Sequence, residues 1–366
     1  MTMQKDIAYM EMAYGLAERA KGWASPNPYV GAVLVRRDVI VGYGYHEKPG
    51  KAHAEIVALK RAGQKAQGST AYITLEPCIH WGRTPPCIDA ILQAGLKRVV
   101  VSSFDPNPLV NKKGIRALRE AGLEVSVGLL AERNKLLNES YIKYIQTKIP
   151  FVTVKAASSL DGKIATHSGN SQWISSPPVR EYTHLLRGEH DAIMVGINTV
   201  LKDNPLLTVR HRNWRGKRLV RAILDSRLRF PLQSRMFDTL SRGDICIFTS
   251  QKSSSHKADA LRQRGARVIS LPGKGPRPEL KDILSWLGEK EISSILVEGG
   301  SGLITSVFEK KIADKVLLAL SPKLIGGKEA PSVYAGRGVN RITDALCLKR
   351  TRSFRIADET IVEGYV

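Results

Sequence analysis

One histidine and two cysteines in the first quarter of the chain have the types and the setting of metal ligands. His53 follows the loop Lys48–Ala52 at the start of a predicted helix, and Cys78 stands nine residues before Cys87. An imidazole and two thiolates leave the fourth tetrahedral position of Zn²⁺ open to water, as catalytic zinc requires. A structural zinc site would normally take a fourth protein ligand, and the sequence offers no second Cys-x-x-Cys or histidine pair. The pattern therefore predicts catalytic zinc.

Glu55 supplies the acid–base group that zinc-assisted hydrolysis needs. Zinc lowers the pKa of bound water to roughly 7, and a neighbouring carboxylate can accept the proton and return it to a leaving amine. Residues two apart on a helix face nearly opposite directions, so His53 and Glu55 reach one metal only from the first turn of the helix predicted over 53–63. This order, with Pro-Cys and a further cysteine, is typical of zinc nucleobase deaminases, although eight residues rather than two separate the cysteines here. The alternative is a buried core histidine, a solvated glutamate and two inert cysteines.

A lysine and a glycine-rich turn in the second half could also do chemistry. Lys155 lies in the run 151–157, which is apolar apart from Thr153 and the lysine itself. Because an unpaired ammonium group is costly to bury, we expect a partner or a ligand there, unless the strand is an edge strand with the amine in water. The turn Gly299–Gly302 can present backbone N–H groups to a phosphate. The alternative is a plain tight turn, which would have the same residues.

The net charge of +22 indicates anionic partners. Most of the excess lies beyond residue 147, and the stretch Arg210–Arg221 carries six basic residues in twelve. This stretch could bind a cofactor 2′-phosphate, form a solvated loop or bind nucleic acid.

The four cysteines are too few for a disulfide framework. No apolar run is long enough to span a membrane and the N-terminus is not a signal peptide, so we expect a cytoplasmic protein without a membrane partner.

Alternating strand and helix patterns divide the chain into two α/β domains. In the first, residues 1–147, strands are predicted over 30–35, 42–45, 70–75, 97–102 and 123–127, and helices over 53–63, 86–95 and 114–121. These elements predict three layers. Helical spacing continues over 130–145 until Lys148-Ile149-Pro150 interrupts it. The second domain, residues 148–366, has seven predicted strands between positions 151 and 321, and no Gly-x-Gly-x-x-Gly follows any of them.

These motifs resemble those of the bifunctional riboflavin-biosynthesis deaminase–reductase family. The stretch Cys78–Cys87 (CIHWGRTPPC) is far more specific than a generic deaminase signature. Further resemblances lie at 25–28, 30–33, 155–165, 171–174, 203–210 and 297–301, so that nearly the whole chain is covered. The resemblance implies an α/β protein with an N-terminal cytidine-deaminase-like three-layer domain and a C-terminal dihydrofolate-reductase-like α/β domain.

The resemblance implies two consecutive reactions. The N-terminal domain would use one Zn²⁺ per chain to deaminate a 2,5-diamino-6-ribosylamino-pyrimidinone 5′-phosphate. The C-terminal domain would use NADPH to reduce the ribosyl side chain to ribityl. The expected partner is thus a small phosphorylated pyrimidine rather than nucleic acid, and the expected assembly is a homo-oligomer, either a dimer or a tetramer.

The resemblance also assigns roles in the deaminase to residues at matching positions of this sequence. Asn27, His46, His80 and Arg83 would line the pyrimidine and phosphate pocket. Asparagine offers a paired donor and acceptor to a base edge, and arginine can clamp a phosphate with two hydrogen bonds. For the two histidines, a structural or merely exposed role is the alternative.

For the reductase, the resemblance places Lys155 against the ribose near the carbon that accepts the hydride. The remaining substrate residues would be Ser171, Arg187 and Arg210 at the phosphate, Glu298 at a sugar hydroxyl, and Leu207. The cofactor residues would be Ala157, Trp173, Thr199, Asp203, Ser226, Gly300, Ser301 and Gly302.

Two other classes of function fit parts of the sequence. A polynucleotide deaminase would have the same zinc site and would suit the positive charge. However, the chain shows no single-strand platform of interleaved aromatic residues, and only 6% of its residues are aromatic. A non-catalytic binding protein with structural zinc would have no use for Glu55. We therefore predict the bifunctional enzyme.

Overall fold

The structure, a computed structural model, describes residues 3–81, 85–214, 216–250, 255–272 and 277–366. The chain divides into two compact units, Met1–Lys148 and Ile149–Val366. This division falls next to the boundary that the sequence predicts. In the described ranges, no helix combines the length and the apolar character needed to cross a bilayer.

The N-terminal unit is built on a five-stranded sheet. Its strands are β1 (Gly31–Arg36), β2 (Val39–Tyr45), β3 (Thr70–Ile73), β4 (Arg98–Val101) and β5 (Glu124–Val127). Its helices are α1 (Met3–Ala17), α2 (Ala54–Ala62), α3 (Cys87–Gln93), α4 (Lys113–Glu120), α5 (Ala131–Leu137) and α6 (Glu139–Thr147). The strand order is β2-β1-β3-β4-β5. β1 is antiparallel to both of its neighbours, whereas β3, β4 and β5 are parallel.

Apolar side chains on both faces of this sheet produce the predicted three layers. Met10 and Tyr14 of α1 pack against Tyr72 on one face. On the other face, Ile91 of α3 packs in a separate cluster with Ile73. Successive strand residues point to opposite faces, which is how Tyr72 and Ile73 serve different layers.

The single helix predicted over 130–145 is wrong, because the chain breaks at Asn138 into α5 and α6. The buried Asn138 side chain pairs with both backbone groups of Tyr29. Its Oδ1 accepts the Tyr29 N–H at 2.7 Å and its Nδ2 donates to the Tyr29 carbonyl at 3.1 Å. This contact depends on tertiary structure, which helical spacing alone does not contain.

The C-terminal unit is built on a nine-stranded sheet. Its strands are β6 (Phe151–Ser159), β7 (Ala192–Gly196), β8 (Val220–Leu224), β9 (Ile245–Ser250), β10 (Arg267–Leu271), β11 (Ser294–Val297), β12 (Lys315–Ser321), β13 (Lys349–Ile356) and β14 (Glu359–Tyr365). Its helices are α7 (Pro177–Glu189), α8 (Ile197–Asp203), α9 (Ser255–Gln263), α10 (Leu280–Glu289) and α11 (Ser301–Glu309). The strand order is β10-β9-β8-β7-β11-β6-β12-β14-β13. The strands from β10 to β12 are parallel, and the hairpin β13–β14 completes the sheet in antiparallel pairing.

α1 approaches β1 so closely that Gly31 has no room for a side chain. A Cβ added there would overlap the backbone carbonyl of Ala13, which cannot move without moving the helix. We predict that Gly31→Ala destabilises the N-terminal unit by about 2–3 kcal/mol, as overpacking of a core does. The measurement is the midpoint of urea unfolding of the full-length protein, followed by circular dichroism.

The matched control is Gly15→Ala in α1. A Cβ at Gly15 meets nothing within 4 Å, and alanine favours a helix by up to about 1 kcal/mol over glycine. The control should therefore unfold at the same or a higher urea concentration than the wild type. If Gly31→Ala behaved like Gly15→Ala, the close packing of α1 on β1 would be refuted.

Candidate active sites

Three separate segments bring His53, Cys78 and Cys87 together. His53 immediately precedes α2, Cys87 is the first residue of α3, and Cys78 lies in the chain between β3 and α3. Nδ1 of His53 lies 3.1 Å from Sγ of Cys87 and 3.5 Å from Sγ of Cys78. The potential ligand atoms of the three residues all lie within 4.8 Å of one another. The structure thus assembles the cluster that the sequence predicts.

The surroundings of the two sulfurs suit a divalent cation. The backbone N–H of Cys87 donates to Sγ of Cys78 at 3.4 Å. Hydrogen bonds from the Cys87 thiol and from His53 hold the pKa of Cys78 well below its usual range, whereas the neighbouring Cys78 sulfur raises the pKa of Cys87. Ionisation of one thiol therefore disfavours ionisation of the other until a cation binds both sulfurs. One imidazole nitrogen and two sulfurs are a donor set that zinc prefers, with a fourth position left for water.

Glu55 lies beside this cluster in the first turn of α2, and its side chain is buried. Burial raises the pKa of the Glu55 carboxyl group, and the nearby charge of His53 acts in the opposite direction. Because α2 begins at Ala54, His53 and Glu55 both project from the helix start, as expected from the sequence.

Asn27 and His46 extend the cluster on the side of His53. The His46 ring packs edge-on against the His53 ring, with centroids 5.2 Å apart. Nε2 of His46 lies 3.0 Å from Nδ2 of Asn27, and its Nδ1 lies 3.3 Å from the carbonyl of Ala52. Burial lowers the pKa of His46. The ring is therefore neutral, donating from Nδ1 to Ala52 and accepting from Asn27 at Nε2.

The burial of the two deaminase histidines bears on whether each is merely exposed. His46 is only 3% exposed, so a merely exposed role is wrong for it. His80 is half-buried, and its buried Nδ1 has no hydrogen-bond partner among the described residues. Arg83 lies outside the described residues.

In the C-terminal unit, a cavity of about 1450 Å³ opens where several parallel strands end. Every reductase residue that the resemblance predicts lines it: Lys155, Ala157, Ser171, Trp173, Arg187, Thr199, Asp203, Leu207, Arg210, Ser226, Glu298, Gly300, Ser301 and Gly302. These residues come from positions spread over almost 150 residues of sequence. The fold gathers them in one place.

Lys155 lies on an interior strand, because β6 is flanked by β11 and β12. The alternative of an edge strand is therefore wrong. Burial lowers the pKa of Lys155, and the nearby carboxylate of Glu298 acts in the opposite direction. Lys155 and Glu298 line the same cavity, so the lysine faces an acidic residue and the space where a ligand could bind.

Arg187 and Glu298, which the resemblance assigns separately to the substrate, form one ion pair. Nε and Nη2 of Arg187 donate to the two carboxylate oxygens of Glu298 at 2.7 and 2.8 Å. The third donor, Nη1, donates to the carbonyl of Thr208 at 3.2 Å. Bidentate pairing fixes the orientation of both side chains. The sequence contains no signal for this pairing across 111 positions.

His184 is a cavity residue that the sequence reasoning missed. Its Nδ1 accepts the backbone N–H of Arg210 at 3.3 Å. Burial and the positive charges of Arg187 and Arg210 lower the pKa of His184 to about 4. The neutral His184 ring therefore accepts a hydrogen bond that fixes the main chain at Arg210. Their spacing could have indicated this, because His184 and Arg187 are three positions apart on α7 and so share a face.

The basic stretch Arg210–Arg221 is not one surface patch in the part that the structure describes. Arg221 is fully buried and donates to the carbonyls of Leu206, Met236, Thr239 and Gly243 and to Oγ1 of Thr239. Arg218 pairs with Asp244 at 3.0 Å. Arg210 alone of the described cations in this stretch lines the cavity.

Comparisons with known proteins find a matching family model for each unit. Residues 3–103 match the model of the cytidine and deoxycytidylate deaminase zinc-binding region, and residues 150–362 match that of the RibD C-terminal domain. The riboflavin biosynthesis protein RibD of Aquifex aeolicus is 43% identical over 362 residues, which cover 99% of each chain. RibD of Escherichia coli is 37% identical over 93% of this chain and 94% of its own.

Solved structures give the same result. RibD of Acinetobacter baumannii, form 1, superposes with a TM-score of 0.88 at 32% identity and covers 100% of this chain and 99% of its own. A protein of Thermotoga maritima superposes with a TM-score of 0.87 at 35% identity over 99% of both chains. The latter is described as a diaminohydroxyphosphoribosylaminopyrimidine deaminase/5-amino-6-(5-phosphoribosylamino)uracil reductase.

We predict that Cys87→Ala abolishes zinc retention, because a site with two remaining ligands cannot hold the ion through dialysis. The measurement is zinc per chain by mass spectrometry of the dialysed protein. Cys347→Ala is the matched control, since this cysteine is exposed and lies outside the cluster. Equal zinc contents in the two variants would contradict the ligand assignment.

Proposed function

Because the chain belongs to the RibD family of bifunctional deaminase–reductases of riboflavin biosynthesis, we propose a specific pair of reactions for it. The N-terminal unit deaminates a 2,5-diamino-6-ribosylamino-pyrimidinone 5′-phosphate, and the C-terminal unit reduces the ribosyl group of the product with NADPH. The observation that supports the first reaction most strongly is the cluster of His53, Cys78 and Cys87 beside the buried Glu55.

In the deaminase site, His53, Cys78 and Cys87 would hold zinc, which would supply water activated for attack at neutral pH. Glu55 accepts a proton from the attacking water and delivers it to the amine that leaves as ammonia. Its position beside the ligands and its burial support this role, since a shielded carboxyl group exchanges protons with the substrate rather than with bulk water.

Asn27 orients the pyrimidine in this proposal. His46 accepts a hydrogen bond from its Nδ2, which fixes the amide so that Oδ1 can accept from the amino groups of the base. His80 and Arg83 contact the phosphate-bearing side of the substrate. The buried Nδ1 of His80, which has no hydrogen-bond partner in the part of the chain that the structure describes, supports this contact, and the contribution of Arg83 rests on the family motif.

We predict that Glu55→Gln slows ammonia release by about 10³-fold or more, in the range expected for loss of a general acid–base group. The glutamine keeps the size of the side chain, so zinc content should stay at the wild-type level. Ammonia is measured enzymatically and zinc by mass spectrometry in the same samples. Full ammonia release by a zinc-loaded Glu55→Gln protein would remove Glu55 from the mechanism.

In the reductase site, Lys155 contacts the ribose beside the carbon that accepts the hydride. Glu298, held in place by Arg187, accepts a hydrogen bond from a sugar hydroxyl, while Arg210 and Ser171 hold the substrate phosphate. The ion pair supports this division, because Arg187 directs three donors at Glu298 and Thr208 rather than at a phosphate. In this proposal, the main role of Arg187 is to position Glu298.

The other residues of the cavity would hold NADPH, which would supply the hydride. The turn Gly300–Gly302 begins α11, and its backbone N–H groups would bind the cofactor diphosphate. The other proposed contacts, which share this cavity, are Ala157, Trp173, Thr199, Asp203 and Ser226, with Leu207 on the substrate side.

We predict that Lys155→Ala lowers the rate of reduction by about 100-fold or more and leaves ammonia release unchanged. The reason is that the lysine contacts the reacting sugar, whereas zinc chemistry takes place in the other unit. Reduction is followed as loss of NADPH absorbance with the deaminated substrate. Ammonia release by the same variant is the internal control. An unchanged reduction rate would exclude Lys155 from the reductase mechanism.

A further inference from the structure

The turn after β8 carries an arginine that neither the sequence motifs nor the family resemblance assigns. We infer that Arg229 binds the 2′-phosphate of NADPH and thereby makes the C-terminal unit prefer NADPH over NADH. The inference rests on the proposed NADPH-dependent reduction and adds the residue that recognises the distinguishing phosphate. It replaces the hypothesis that the stretch Arg210–Arg221 forms a 2′-phosphate patch.

The main chain that carries Arg229 is held rigidly by Asp225. Oδ2 of Asp225 accepts the N–H of Phe230 at 2.8 Å, and the Asp225 carbonyl accepts the N–H of Leu228 at 3.3 Å. Asp225 is 1% exposed, whereas Arg229 is exposed and lines the cavity together with Ser226. A fixed turn with an exposed guanidinium group is a preorganised anion contact.

A neutral amide orients the Arg229 guanidinium group. Nη2 of Arg229 donates to Oδ1 of Asn198, in the first turn of α8, at 2.8 Å. Asn198 also lines the cavity. Because an amide carries no charge, this contact fixes the side chain without neutralising it, and the remaining N–H groups can bind a phosphate bidentately.

Several other cations around the cavity are already engaged. Arg187 is paired with Glu298, and Lys310 lies 3.4 Å from Glu279. Arg180 stacks on Trp173 with its guanidinium carbon 4.4 Å from the ring centroid.

Arg210 belongs to the substrate end of the cavity. Its backbone N–H donates to His184, and burial, together with the nearby charges of Arg187 and Arg235, lowers its pKa. Arg229 instead follows β8 and binds Asn198 of α8, so different elements hold the two arginines.

Strand order places Lys155 and the turn that carries Arg229 three strands apart in the sheet. The strands run β8-β7-β11-β6, with Lys155 on β6, the glycine-rich turn after β11 and Arg229 after β8. Adjacent strands are ~4.8 Å apart, so β8 and β6 are separated by about 14 Å. An extended dinucleotide spans such a distance, with its nicotinamide near Lys155, its diphosphate at the glycine-rich turn and its adenosine ribose near Arg229.

An apolar wall beside Arg229 supports this orientation of the cofactor. Leu224 at the end of β8, Phe248 of β9 and Leu280 and Ile283 of α10 line the same cavity. Such a surface suits the flat adenine ring. The 2′-phosphate on the adjoining ribose would then meet the arginine at the rim.

The experiment compares dinucleotide binding by the full-length, zinc-loaded enzyme and its Arg229→Gln variant. Dissociation constants for NADP⁺ and NAD⁺ are measured by titration calorimetry, which does not depend on turnover. We expect the variant to bind NADP⁺ about 10- to 100-fold more weakly, as loss of charge-assisted hydrogen bonds predicts, and to bind NAD⁺ with unchanged affinity. The kcat/KM ratio of NADPH to NADH should fall by the same factor.

Arg227→Gln is the matched control. Arg227 is exposed in the same turn, two positions away, and does not line the cavity. This control removes the same charge, so it should leave both dissociation constants unchanged. If Arg227→Gln weakened NADP⁺ binding as much as Arg229→Gln, the effect would come from the overall field, and the inference would be overturned.

The remaining outcomes separate the inference from the proposed function. Wild-type affinity for NADP⁺ in Arg229→Gln, or an equal loss for both dinucleotides, would overturn the inference and leave NADPH-dependent reduction in place. A wild-type enzyme that bound neither dinucleotide would overturn both. Selective loss of NADP⁺ binding supports both.

Discussion

Parallel strands must be joined by chain that leaves from the carboxyl end of one strand and returns to the amino end of the next, and this constraint determines where both units place their chemistry. In the N-terminal unit, Cys78 follows β3 and His53 follows β2. β2 points the same way as β3 because both are antiparallel to β1. In the C-terminal unit, Ser226 follows β8 and Glu298 follows β11, so both lie at one edge of the sheet. Strand direction thus brings together residues that are far apart in sequence.

Buried charged side chains then hold parts of that edge in the C-terminal unit in place. Arg221 has no exposed surface, and its guanidinium group donates to the backbone carbonyl of Leu206, which lines the C-terminal cavity, and to that of Met236. Arg187 and Glu298 hold each other beside Lys155, so that a buried ammonium group has a carboxylate nearby. A buried charge without such partners would cost several kcal/mol. The same contacts that make burial tolerable also fix the cavity that the substrate and the cofactor are proposed to share.

Local patterns in the sequence predicted the ligand cluster and most of the strands, while features that depend on distant contacts escaped them. The cluster could be predicted because residue types, spacing and helix starts are all local, and the strands from β6 to β12 could be predicted because they are apolar. The hairpin β13–β14 was missed, since β13 is an exposed edge strand with four basic residues among eight. The break at Asn138 and the pairing of Arg187 with Glu298 depend on residues more than 100 positions away. Periodicity carries no information about such contacts.

The most direct test of two ordered reactions on one chain is a time course with the zinc-loaded wild-type enzyme and the diaminopyrimidinone ribosylamino phosphate. Ammonia and NADPH are followed together, with a parallel sample that lacks NADPH. The account predicts ammonia release without NADPH, and NADPH oxidation that begins only after ammonia has appeared. NADPH oxidation ahead of ammonia release, or ammonia release that requires NADPH, would contradict the order of the two reactions. Failure to release ammonia from a protein that holds zinc would contradict the deaminase assignment itself.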